Sequence, residues 1–441
     1  MKSIAKSLKT FNYRLWLVLA ITLLIPALYQ TVRIYFLGNI ESDWGVNIAS
    51  QLSWVNLLYE IIQEAFILPL FYILGKSLGN NEELENKTRG GLLISFISYF
   101  ILSLIIIIFA KPLCNFMASN KDTIDATAKY IRLESIASLI SILSKFITVL
   151  FVTMKKDKYM YILLVIQTLL SIIFDTFFLS DLSISLKLGV NGIALTNIIT
   201  SLILVIVSFV MLKKEDINIF SKKKLSFSWV KEYSKIGLYS GLESFVRNIA
   251  FILMVSRLVN VISEQGNYWV ANNFIWTWLL LPSIALYDVI KKETAEDKLN
   301  IRTKTLGYIV VTTIFSILWL VSIPLWKPFL IYIMNVKEYE TVIYICLIQT
   351  AFYILYMYNC IFDGTIYGRG KTLYMLIQSI CTNFVYYVVM FILWKTGVFI
   401  PTLLSISLMF GIGMAFDLIP TIGCYVYLLK KENVRIDWKL A

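Results

Sequence analysis

Apolar runs of about twenty residues without a Lys or Arg recur along this chain, and they constrain its fold more than any motif. Gly91–Ala110, Tyr161–Ser180 and Ile193–Leu212 are three of them, each long enough as a helix to cross a hydrocarbon core of about 30 Å. Only 15% of the 441 residues are charged, against about a quarter in soluble proteins, so much of the surface must face lipid. The fold class is therefore all-α: a polytopic membrane protein of about twelve transmembrane helices. The expected spans are Trp16–Leu37, Ile48–Leu74, Gly91–Ala110, Ile131–Met154, Tyr159–Leu179, Val190–Leu212, Ile236–Val259, Tyr268–Ile290, Leu306–Trp326, Thr341–Tyr367, Leu373–Trp394 and Pro401–Leu429. The basic segment Met1–Arg14 precedes a run with no small-residue cleavage site, so the first span reads as retained.

The connecting segments set the orientation. Of the 40 Lys and Arg, 28 fall on the side that holds both termini and eight on the other, which predicts cytoplasmic termini in the cell's inner (plasma) membrane. This bias also absorbs most of the +12 net charge, so no nucleic-acid partner is expected. The expected surroundings are the lipid bilayer and a small-molecule substrate, with the chain a monomer.

The longest basic connection, Lys213–Lys235, lies at mid-chain, and the sequences on its two sides align weakly. Trp54 and Trp269, Leu84 and Leu299, and Tyr159-Met160 and Tyr374-Met375 all share one offset, 215. The pattern suggests two pseudo-symmetric six-helix bundles, residues 1–220 and 221–441, a common plan among secondary transporters.

Several strings carry a family likeness. The end of the second span, YILGKSLGNNEELENKTRGG (Tyr72–Gly91), the fifth-to-sixth span passage SIIFDTFFLSDLSISLKLGVNGIALTNIIT (Ser171–Thr200) and the turn FDGTIYGRGKT (Phe362–Thr372) resemble segments of multidrug and toxic compound extrusion (MATE) transporters. The likeness runs in order over nearly the whole chain without one diagnostic motif. It implies a pair of six-helix bundles that export small organic compounds by alternating access, driven by an inward Na⁺ or H⁺ gradient. It also implies membership of a superfamily that includes flippases of lipid-linked oligosaccharides. The chain departs from the family at two matching places. Arg33, in TVRIYFLG, stands where relatives hold an aspartate, and Arg247, in GLESFVRNIAF, where many hold a glutamate.

Ionisable groups inside spans cost roughly 2.5–3.5 kcal/mol each on insertion scales and persist when paired, wet or functional. The candidates for transport and coupling are Asp175, Arg33, Glu60, Glu64, Glu243, Arg247 and Asp363. Glu60 and Glu64 share a helix face, which suits either proton loading of a close carboxylate pair or pairing of one acid with Arg33. Glu243 and Arg247 are spaced as an intrahelical pair. Asp175 keeps the family context around it, although Ser171 replaces the asparagine usual four residues earlier. Arg132, Glu134 and Asp288 read as interfacial, Lys145 is a further in-span charge, and Asp417 has no assigned role. Pro26 is a candidate gate in the first span by resemblance, with a fixed kink the alternative; Pro69 and Pro282 also fall inside spans.

Enzymatic chemistry is disfavoured. The chain has no histidine, the commonest metal ligand and general base, so no catalytic residue, metal site or cofactor is expected beyond a coupling H⁺ or Na⁺. Its five cysteines lack metal-ligand spacing. Gly370-Lys371-Thr372 is no phosphate loop, because Thr365 occupies the position of the required glycine. The expected function is secondary active export of the MATE type, with a flippase of an anionic lipid-linked substrate as the alternative that the two arginines favour.

Overall fold

The computed structural model describes residues 8–436 except 10, 41–43, 216, 220 and 222. Lys2, Lys6, Lys222 and Lys439 of the expected cytoplasmic set, and the loop position Asp216, lie outside the described residues. Helix makes up nearly all of the rest, with no strand among the described residues. The spans are α1 Tyr13–Gly38, α2 Gly45–Gly75, α3 Asn81–Phe116, α4 Lys121–Thr153, α5 Asp157–Leu179, α6 Val190–Lys213 and α7 Val230–Val261. After α8 come α9 Leu299–Ile333, α10 Tyr339–Gly368, α11 Thr372–Lys395 and α12 Leu403–Glu432. α8 is a pair, Gln265–Leu279 and Leu281–Glu296, bent by 58°. The single straight span expected over Tyr268–Ile290 is therefore broken. Pro282 starts the second piece and can donate no helical hydrogen bond, and a wide π turn, Ile275–Leu279, precedes it.

Prolines account for two more irregularities. α2 is interrupted at Ile67, just before Pro69, and Phe109 in α3 leaves helical geometry three residues before Pro112. α1, by contrast, runs unbroken through Pro26.

By contact the chain forms two compact units, Leu28–Ile252 and Met1–Ala27 with Leu253–Ala441. These differ from the sequence halves 1–220 and 221–441 by taking most of α7 into the first unit and the start of α1 into the second. In the first unit α4 packs along both α3 and α6, α5 lies against α6, and α7 lies against α2. The last contact is unusually close. A Cβ on Gly237 would sit 2.2 Å from the Ala65 carbonyl oxygen, and one on Gly241 2.7 Å from the Ala65 Cβ. Two glycines four apart thus let two backbones meet, a common device in lipid, where apolar burial gives helices no reason to associate. Around the break in α2, Ser240 donates to the Glu64 carbonyl at 2.7 Å and Tyr233 to that of Phe66 at 2.6 Å, satisfying acceptors near Pro69.

In the second unit α10 packs along α12 and the second half of α8. Trp16 donates its indole N–H to the Pro282 carbonyl at 3.0 Å and stacks on Phe315. Ile101, Ile105 and Ile108 of α3 and Leu169 and Ile173 of α5 stay exposed, as a lipid-facing surface requires.

Candidate functional site

The first centre lies in the Leu28–Ile252 unit and draws one residue from each of four helices. Arg33 on α1 donates through Nε to Asp175 Oδ2 at 2.8 Å and through a terminal nitrogen to Asp175 Oδ1 at 3.3 Å. This is the two-pronged geometry a guanidinium makes with a carboxylate. A further donation reaches Asn197 Oδ1 on α6 at 3.1 Å. The Asn197 amide nitrogen in turn donates to both Glu134 oxygens on α4, at 2.9 and 3.0 Å. With a donor-only cation on one side and an acceptor carboxylate on the other, the amide has one sensible orientation. Asp175 is 1% and Glu134 3% exposed, and the Tyr29 ring lies 5.8 Å from the guanidinium carbon.

This arrangement corrects two expectations. Arg33 pairs with Asp175 and not with Glu60 or Glu64. Glu134 is no interfacial residue: its helix face turns it inward to Asn197. The centre holds two carboxylates to one guanidinium.

A second centre in the same unit repeats that ratio. Arg247 Nε donates to Glu243 at 3.1 Å, as the i, i+4 spacing predicts, and a terminal nitrogen reaches Glu60 on α2 at 3.1 Å. Arg247 also holds Asn248 Oδ1 at 3.0 Å, and Asn248 donates to the Leu57 carbonyl at 3.1 Å, tying the pair to α2. The Arg247 side chain is 46% exposed, so this centre is open where the first is closed. Glu64 is half-buried one turn along α2 from Glu60.

The third cluster lies in the other unit. Asp363 on α10 accepts from Gln378 Nε2 at 2.9 Å. Asn359 Nδ2 lies 3.4 Å from Asp363 and 3.1 Å from Asp417 on α12, bridging the two acids. Thr382 donates to Asp417 at 2.6 Å, just before the π turn Asn383–Tyr387 of α11. Asn359 Oδ1 and Gln378 Oε1 are buried without a hydrogen-bond partner among the described residues. Asp417, assigned no role from sequence, thus shares a site with Asp363. Glu134, Asn197, Asn359, Gln378 and Thr382 were also missed. For Glu134 a signal existed, since Glu134, Ser138, Ser141, Lys145 and Thr148 alternate by four and three along one face of α4.

No group of three or more Cys, Asp or Glu placed to hold a metal ion occurs among the described residues. Asp288 pairs with Lys291 one turn away, both partly exposed.

Comparison with known proteins finds likeness in part of the sequence and in the whole fold. The MatE family model matches residues 19–177, which contain α2 to α4, most of α5 and both Arg33 and Asp175. Among solved structures, the chain is similar to an inward-facing multidrug resistance MATE family transporter of the MOP superfamily. The TM-score is 0.74 at 16% identity, over 94% of this chain and 98% of that one. A mutant of the Vibrio cholerae MATE transporter VcmN gives 0.71 at 14% identity, over 98% and 99%. An outward-facing member gives 0.68 at 15%, over 98% of both chains. Identities this low establish the fold alone. No curated protein matches the sequence. The MatE model thus covers 159 of the 441 residues, and over nearly its whole length the chain has the fold of the MATE transporter structures.

Proposed function

We propose that the chain is a secondary active exporter. It moves small organic compounds out of the cell against an inward H⁺ or Na⁺ gradient, by alternating access between two six-helix lobes, residues 1–220 and 221–441. The observation that carries the reading is the charge ratio at Arg33. A guanidinium never sheds its proton, so it is a fixed cation and cannot itself be the coupling proton's carrier. Arg33 neutralises one carboxylate, Asp175. Glu134, bridged through Asn197, is the second acid, and one H⁺ or Na⁺ bound there would bring the buried centre to neutrality. Burial makes that neutrality worth several kcal/mol, enough to bias one of two global states. Arg247 with Glu60 and Glu243, and Asp363 with Asp417, are further places where a cation can be taken up and released. Pro26, on the same helix as Arg33, is the proposed gate.

Glu134→Gln and Asp175→Asn in proteoliposomes test this. Each near-isosteric amide removes one titratable charge, so gradient-driven transport should fall at least tenfold while the protein still inserts and binds substrate. Wild-type rates in both variants would remove the centre from coupling. The partly exposed guanidinium of Arg247 favours a second reading, a flippase gripping an anionic lipid-linked head group. Flux of a soluble compound in lipid-linked-substrate-free vesicles separates the two.

A further inference from the structure

The strip on α4 that begins at Glu134 leads to a charge that none of these centres uses. Lys145 lies eleven residues beyond Glu134, which at 100° per residue puts the two within about 20° on the helix and about 16 Å apart along its axis. Ser138, Ser141 and Thr148 share that face and are half-buried, whereas Lys145 is exposed. The buried residues Ile142 and Phe146 lie on one flank and Ala137 and Ser144 on the other. On the opposite side at this depth Ile147 and Leu150 are fully buried. Lys145 therefore lies on the side of α4 that holds Glu134 and remains accessible.

Three ordinary explanations for such a lysine fail. No hydrogen bond or ion pair reaches it among the described residues, and no carboxylate acts on it from nearby. In this unit the in-span arginines Arg33 and Arg247 each have acids at hydrogen-bond distance. Nor can Lys145 readily reach the helix end at Thr153. That end is about 12 Å away, and side chains on a helix lean toward its N-terminus, which here means toward Glu134. An ammonium inside a span with neither a partner nor a route to an interface is a charge that an anion from outside the chain would pair.

We propose that Lys145, with the hydroxyl-bearing strip Ser138, Ser141 and Thr148 beside it, binds the acidic group of an amphiphilic anion that the transporter carries. The chemistry is an ammonium paired with a carboxylate, sulfonate or phosphate while the apolar remainder lies along neighbouring helices. The same anion can be a free organic acid or the head group of a lipid-linked compound. The inference rests on the transport reading for its purpose, but binding at Lys145 stands or falls without a gradient.

The test is equilibrium binding to the purified full-length protein in nanodiscs. Taurocholate serves as the free organic anion, a polyprenyl phosphate as the lipid-linked one, and tetraphenylphosphonium as the cationic control. Saturable binding of at least one anion is expected. Lys145→Gln should weaken it about tenfold or more, the loss of one charge-assisted hydrogen bond, and Lys145→Arg should retain it. Tetraphenylphosphonium binding should stay unchanged in both variants, which also certifies their folding. Taurocholate alone binding identifies a free organic acid, and the polyprenyl phosphate alone a lipid-linked compound. Failure of both anions to bind, or equal affinity in wild type and Lys145→Gln, overturns the assignment. Anion binding that depends on Lys145 without gradient-driven flux would leave the site standing and refute the exporter reading instead.

Discussion

Replacing Arg33 by Met keeps most of the side chain's length and removes its charge, so it isolates the guanidinium in the closed centre. Asp175 then loses both of its bonds from Arg33 while staying 1% exposed. Breaking a buried ion pair from one side costs about 3–5 kcal/mol, because the remaining charge has neither water nor partner. Asn197 Oδ1 loses its donor as well, but the two losses share one network and do not add. The expected destabilisation is therefore about 4 kcal/mol. Asp175→Asn leaves the guanidinium with the amide and, through Asn197, Glu134, and should cost less. The double variant Arg33→Met with Asp175→Asn removes both charges and should recover about 2 kcal/mol or more relative to the sum of the singles. Unfolding in mixed micelles titrated with dodecyl sulfate, followed by tryptophan fluorescence, measures all three. A single-variant cost under about 1 kcal/mol, or strict additivity in the cycle, would refute the claim that this pair anchors the centre.

Further outcomes follow from the packing and the charges. Gly237→Ala drives a methyl group into the Ala65 backbone and should destabilise the same unfolding transition by about 1–3 kcal/mol. Gly423→Ala on α12, with nothing within 4 Å of the added carbon, should be neutral or stabilise by up to about 1 kcal/mol. At the end of α6, hydrogen bonds from Lys156 and then Tyr159 lower the Glu215 pKa. A depressed folded-state pKa means stabilisation present above the ordinary carboxylate range and lost as pH falls through the folded value. Unfolding midpoints taken from neutral to acid pH should show a decline that Glu215→Gln flattens. Asp363→Asn with Asp417→Asn should abolish gradient-driven flux in vesicles while leaving the unfolding midpoint within about 1 kcal/mol of wild type, since amides still accept from Gln378 and Thr382.

The helical plan was legible because hydropathy over about twenty residues is a local property. The break in α8 was half legible: Pro282 was visible, but the 58° bend also needs the π turn before it, which composition does not mark. Asp175 stood out through its surroundings, and the Glu243–Arg247 pair through its spacing. The partner of Arg33 did not, since Arg33 and Asp175 are 142 positions apart and several acids on other spans were equal candidates until the helices packed. Glu134 was misread because Arg132 and Lys129 beside it look like the edge of a span. Its inward direction is written only in the four-three polar strip that runs to Lys145. Asp417 carried no local signal, because what makes it notable is Asn359 reaching it from α10.

The central claim, gradient-coupled export by this fold, is tested most directly in proteoliposomes that hold protein of one orientation and a fluorescent organic substrate. An H⁺ or Na⁺ gradient is imposed and then collapsed with the matching ionophore. The account predicts substrate accumulation against its own gradient under at least one of the two ions, ceasing on collapse and absent in Glu134→Gln. Downhill flux indifferent to both gradients, with the ionophores without effect, would contradict it.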